Sequence, residues 1–148
     1  MGKEIKDIES YDISPLSLIR WVNSEYDELV LTSTKENKIL NQRAVRSILK
    51  ILSIKNGISQ NELAREVHLK PSTVSVALVE MEELGYITRS KSASDTRKVN
   101  VFLTPLGYDL KKEVDSMLLQ IEEKMLSSLN ESEKLNLKSY LFKILENL

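Results

Sequence analysis

The hydrophobic period of this chain switches from about 3.6 to about 2 for one short stretch, and then back. Apolar residues recur at three- and four-residue spacings up to Leu84, alternate from Tyr86 to Leu103, and return to helical spacing after Pro105. A single hairpin set in a helical chain disfavours a sandwich or barrel. The scarcity of breakers agrees, with four glycines and three prolines in 148 residues. The expected fold class is therefore mainly α, with one small β-hairpin and about six helices.

Capping chemistry sets the boundaries. Ser14-Pro15 pairs an N-cap residue with proline at the first helical position, where the missing N–H costs nothing. Leu18, Ile19, Val22, Tyr26, Leu29 and Val30 then form a stripe that fades near Thr32-Ser33-Thr34. Asn41 is expected to cap a second helix carrying Ala44, Val45, Ile48, Leu49 and Leu52, which stops at Asn56-Gly57. Ser59 to Glu62 reads as a capping box before a short helix with Leu63, Ala64 and Val67. His68-Leu69-Lys70 breaks that pattern, Pro71 opens a helix with Val74, Leu78, Met81 and Leu84 on one face, and Gly85 ends it. Strands are expected over Tyr86–Arg89 and Lys98–Leu103, with an exposed tip between them. Phe102 falls on the outward face and needs a cover, which a helix packing over the hairpin would supply. Thr104-Pro105 starts a long helix with a near-heptad stripe from Leu106 to Leu129, and Asn130 caps the last one.

Composition removes several kinds of chemistry. There is no cysteine, so disulfides, thiolate metal sites, a cysteine nucleophile and thiol redox sensing are excluded. The one histidine, His68, lacks partners for a multi-histidine metal site or a catalytic triad. No glycine-rich phosphate loop or nucleophile motif is visible, so an enzyme is not expected and no cofactor is implied. Met1–Ser10 lacks the apolar core of a signal peptide, and no apolar run approaches the roughly 20 residues that span a bilayer. A soluble, cytoplasmic protein without membrane attachment is expected.

Two short helices joined by a tight turn and followed by a hairpin are the parts of a winged helix-turn-helix. The first helix, with Gln60 and Asn61 at its start, would cross a DNA backbone while the helix from Pro71 to Leu84 enters the major groove. Ser72, Thr73 and Ser75 offer hydroxyls to base edges or phosphate, and Val76 offers a methyl contact to thymine. Lys70 precedes them. Arg89, Lys91, Arg97 and Lys98 furnish the hairpin with charge for the backbone or a minor groove. Net charge is only −1, yet the distribution is uneven. Arg43, Arg46, Lys50 and Lys55 stand with no acid between residues 41 and 57, whereas both ends of the chain are acidic.

The stretch from Ile58 to Gly107 resembles the winged helix-turn-helix of MarR-type transcriptional regulators. It carries Glu62-Leu63-Ala64, Pro71 to Ser75, Leu84 to Ile87, Asp95 with Arg97, and Leu103 to Gly107, in the family's order and spacing. The resemblance implies a homodimeric regulator, of the repressor type, on a pseudo-palindromic operator in double-stranded DNA and released by a small-molecule ligand or another signal. It implies that residues 1–40 and 105–148 form the dimerisation helices around a DNA-binding module at 41–104. It also places Pro71, Ser72, Thr73, Ser75 and Val76 at contact positions, Arg97 at the wing tip and Asp95 as the acid that braces the wing. One departure stands out: Val76 and Glu80 occupy positions where many relatives carry arginine, and no basic residue lies between Pro71 and Thr88.

A second reading keeps the scaffold and changes the partner. Glu80, Glu82 and Glu83 make the second half of the recognition helix acidic, which suits a protein-interaction module with weak or no DNA binding. Trp21 and Tyr26 read as packing or, with Arg46, as the wall of a ligand pocket.

Overall fold

A computed structural model describes residues 12–148; the reading of Met1–Ser10 lies outside them. Among the described residues, seven helices and one antiparallel hairpin follow in the order α1 (Pro15–Ser33), α2 (Lys38–Asn41), α3 (Arg43–Ile54), α4 (Gln60–Glu66), α5 (Pro71–Glu83), β1 (Ile87–Lys91), β2 (Val99–Leu103), α6 (Pro105–Met125) and α7 (Glu131–Leu145). No helix among the described residues is long and apolar enough to cross a membrane. Two compact units are formed: one is Thr34–Gln120, and the other joins the chain before Thr34 to Ile121–Leu148.

The 34–120 unit holds a continuous core. Val45, Ile48, Leu49 and Leu52 of α3 meet Leu63 of α4, Val74, Leu78 and Met81 of α5, and Ile87 and Val101 of the hairpin. Leu110 and Val114 from α6, and Ile39 and Leu40 from α2, complete it. The unit thus reaches beyond 41–104 on both sides, because the apolar faces of α2 and α6 are needed to close the core.

The start of α3 differs from expectation. Asn41 is the last residue of the short α2, and Gln42 occupies the N-cap of α3 without a side-chain cap bond. The Arg46 guanidinium donates to the Leu40 carbonyl, which satisfies a group at the end of α2 that no further helical turn can serve. Ser59 behaves as expected: its Oγ accepts from the Glu62 N–H at 3.3 Å. At Asn130 the full reciprocal box forms: its N–H donates to Glu133 Oε2 at 2.8 Å, and its Oδ1 accepts from the Glu133 N–H at 3.0 Å.

The hairpin pairs Ile87 with Leu103, Arg89 with Val101 and Lys91 with Val99. It is not fastened by its own ladder alone. The Gly57 N–H donates to the Val101 carbonyl, and the Val101 N–H donates to the Ile58 carbonyl, at 2.9 and 3.0 Å. Asn56 Oδ1 accepts from the Leu103 N–H at 2.9 Å. Gly57, at φ +84°, lies against the Phe102 ring, so the cover that Phe102 requires is this loop rather than a helix.

In the other unit, α1 and α7 are amphipathic but leave their apolar stripes open. Val30 is the buried residue of α1, and α7 buries none. Leu16, Val22, Leu135, Tyr140, Phe142 and Leu145 are all exposed.

Candidate nucleic-acid interface

The site begins with the turn between α4 and α5. His68 takes φ +52°, a left-handed value that histidine tolerates better than most residues, and it reverses the chain within four residues. Lys70 then sits at the N-cap of α5 without a side-chain cap bond, and Pro71 opens the helix. The first-turn N–H groups of Ser72 and Thr73 have no intrahelical carbonyl to serve them. Together with the helix dipole they form an anion-attracting end.

Helical spacing divides α5 cleanly. Val74, Ala77, Leu78 and Met81 are buried. Pro71, Ser72, Thr73 and Val76 are exposed, Val76 by 69%, and Ser75 lies half-buried at the edge of the stripe. Val79, 41% exposed, extends this stripe by one turn. Sequence reasoning passed over Val79, although its i+3 spacing from Val76 was the available signal. On α4, Asn61 is exposed and Gln60 is half-buried.

The basic residues of the hairpin have two different fates. Arg97 remains 90% exposed at the tip. Asp95 Oδ1 accepts from its backbone N–H at 3.1 Å and from its Nε at 3.2 Å. These bonds hold the Asp95 carboxyl below its ordinary range and aim the Arg97 stem. Lys91 and Lys98 are exposed as well. Arg89, by contrast, turns back onto the recognition helix. Its Nε donates to Glu82 Oε2 at 2.9 Å and its Nη2 donates to the same oxygen, leaving the side chain 24% exposed. Arg89 joins β1 to α5 and is withdrawn from the surface that carries Arg97.

The acids of α5 are similarly occupied. Glu82 is held by Arg89, and Glu80 Oε2 accepts from Gln42 Nε2 at 2.5 Å; Glu83 is exposed. Of the basic run on α3, Lys55 pairs with Glu66 at 2.6 Å and Arg46 serves Leu40, while Arg43 and Lys50 are exposed. Trp21 and Tyr26 lie on α1 in one unit and Arg46 in the other. The Trp21 Nε1–H donates to Glu25 at 3.2 Å. Among the described residues, no grouping of histidine, aspartate and glutamate could hold a metal ion.

The sequence model of the MarR family matches residues 45–99, from α3 through the wing tip to the first residue of β2, and several curated regulators align over a longer stretch. Over residues 45–99 this chain is similar to the MarR family. It is similar to the HTH-type transcriptional repressor Rv2887 of Mycobacterium tuberculosis, with 28% identity over 96 residues, covering 65% of this chain and 69% of that protein. A mutant of S. aureus MepR shares the MarR fold with it at a TM-score of 0.77 and 26% identity, covering 91% of this chain and 98% of that one. BpsR of Bordetella bronchiseptica, whose DNA binding is regulated by 6-hydroxynicotinic acid, has a TM-score of 0.75 at 21% identity, covering 90% and 94%. At that identity the likeness concerns the fold alone.

The Arg89–Glu82 pair makes MarR-fold stability in this chain pH-dependent in a defined direction. Hydrogen bonds from the Arg89 guanidinium lower the Glu82 pKa, with burial opposing them. A depressed carboxyl contributes stability above its unfolded value and loses it as the pH falls through the folded one. Urea midpoints should therefore drop as the pH falls below the ordinary glutamate value of about 4.3, and Glu82→Gln should flatten part of that drop. An unchanged slope in Glu82→Gln would mean that the pair carries no linkage.

Proposed function

We propose that this chain is a homodimeric DNA-binding transcriptional regulator that reads its operator with the exposed stripe of α5 and anchors itself with the wing. The observation that carries this reading is the stripe Ser72, Thr73, Val76 and Val79, running from an uncapped helix N-terminus, in one compact unit with the 90%-exposed Arg97. Hydroxyls and first-turn N–H groups suit phosphate and base edges, and the two valines suit thymine methyls. No arginine of α5 reads guanine, so specificity rests on methyl, hydroxyl and shape readout. Lys70, Lys91 and Lys98 add phosphate contacts, Gln60 and Asn61 flank the backbone from α4, and Asp95 supports the wing.

Dimerisation through α1 and α7 is supported by their open apolar stripes, which an isolated chain would leave in water. Two recognition helices would then enter successive major grooves, about 34–36 Å apart. The response to a signal rests on the family and on BpsR. Repression is the mode suggested by the name of the mycobacterial relative. The protein-interaction reading loses support, since two of its three acids, Glu80 and Glu82, are engaged by Gln42 and Arg89, which leaves Glu83 as the exposed one.

Selection of bound sites from random duplex DNA tests the reading directly. A two-fold-related pair of half-sites is expected; failure to enrich any sequence at low and moderate salt would overturn it. On the selected duplex, Arg97→Ala should weaken binding by about tenfold and reduce the salt slope by roughly one. Ser72→Ala with Thr73→Ala should cost more on that duplex than on random DNA. Equal losses would make these hydroxyls positioning contacts only.

A further inference from the structure

A carboxylate in the middle of a helix that enters a polyanion is a liability, and the structure shows how Glu80 is kept from acting as one. Glu80 is half-buried, and its Oε2 accepts from Gln42 Nε2 at 2.5 Å across a separation of 38 residues. Gln42 is itself fixed by its backbone: its N–H donates to the Ile39 carbonyl at 3.2 Å, and its carbonyl accepts from the Arg46 N–H at 3.3 Å. It stands at the N-cap of α3, yet its side chain makes no cap bond. The amide is spent across the interface, on the recognition helix. A neutral donor suits this task, because it immobilises the charge without cancelling it.

We propose that Gln42 is a positioning residue for DNA binding: it holds the Glu80 carboxylate against the start of α3 and so keeps a negative charge out of the groove that α5 enters. The inference rests on the DNA-binding reading. It assigns the Gln42–Glu80 bond an electrostatic role beyond that of a brace between α3 and α5. Once the amide is removed, the Glu80 side chain is free to swing along the helix surface toward the stripe at Val76 and Val79, and like-charge repulsion with phosphate follows.

The test compares four full-length proteins on the duplex enriched from random DNA: wild type, Gln42→Met, Glu80→Gln and the double variant. Methionine keeps the length of glutamine and removes the donor, so packing is preserved; urea unfolding of each protein confirms the fold, and Gln42→Leu replaces any Gln42→Met protein that fails it. Gln42→Met is expected to weaken binding by about tenfold at low salt. This loss should shrink as salt screens it. Glu80→Gln should bind within about threefold of wild type, and the double variant should return to the level of Glu80→Gln, because the charge that Gln42 restrains is gone. A salt-independent loss that the double variant does not repair would reduce the bond to a brace and overturn the proposal, as would an unchanged Gln42→Met. A wild type that enriches no duplex removes the DNA-binding reading, and this inference with it. A wild type that binds, without the rescue pattern, removes this inference alone.

Discussion

Placing aspartate at Leu137 and Leu141 of α7 should convert the protein to a monomer and reduce its affinity for the selected duplex by about 100- to 10,000-fold. The helix buries none of its residues within the chain, so the substitutions remove no intrachain core. They place two charges on a stripe that, in the proposed dimer, lies in a desolvated seam. The large factor arises because binding of the second half-site becomes a separate bimolecular event once the two reading heads are unlinked. Light scattering would report the mass, a fluorescence titration the affinity, and circular dichroism the retained helix content. A variant that stays dimeric and binds normally would locate the seam elsewhere.

Gly107→Ala should destabilise the fold by more than the roughly 1–3 kcal/mol typical of overpacking, and by more than Gly85→Ala. Gly107 is buried at the start of α6, and a Cβ there would lie 2.1 Å from the Tyr86 carbonyl oxygen and 2.9 Å from Leu103 Cδ2. The backbone cannot yield easily. The Thr104 N–H donates to that same carbonyl at 3.1 Å, the Thr104 hydroxyl donates to the Gly85 carbonyl at 2.6 Å, and the Gly107 N–H donates to the Thr104 Oγ1 at 3.1 Å. Gly85 has the less common backbone, φ +77°, but the nearest atom to a Cβ there is 3.9 Å away. Its replacement should cost only about 1–2 kcal/mol, the conformational penalty. Urea unfolding of both variants measures the two costs. A larger loss in Gly85→Ala would show that backbone conformation outweighs the close approach at Gly107.

Gly107 also shows how a motif differs from its reason. Leu103 to Gly107 was legible as a family run, and Thr104-Pro105 as a helix start, because caps act over three or four residues. That Gly107 must be glycine depends on Tyr86, which is 21 positions away and meets it only when the start of α6 packs against the turn before β1. Asn56 is a similar case. Along the chain it marks the end of a helix; in space its Oδ1 holds the Leu103 N–H and ties the wing to α3.

The elements and the surface they present are written in local patterns: helix, turn, helix and hairpin follow from periodicity, from Pro71 and Gly85, and from alternation in β2. Local rules of this kind are set by neighbours within one helical turn, so a linear reading reaches them. The short helix α2 escaped it because four residues are too few to show a period. Which charges remain available is settled by packing between distant segments. Arg89 and Arg97 are equivalent in sequence as hairpin cations, but Arg89 faces Glu82 across the α5–β1 contact while Arg97 is held outward by Asp95. Glu80 reads as a negative charge on the recognition helix until α3 brings Gln42 to it. The strength of an ion pair or a charge-restraining bond depends on separations of a few ångströms between residues far apart in the chain. Those separations exist only once the core of α3, α5 and the hairpin has closed.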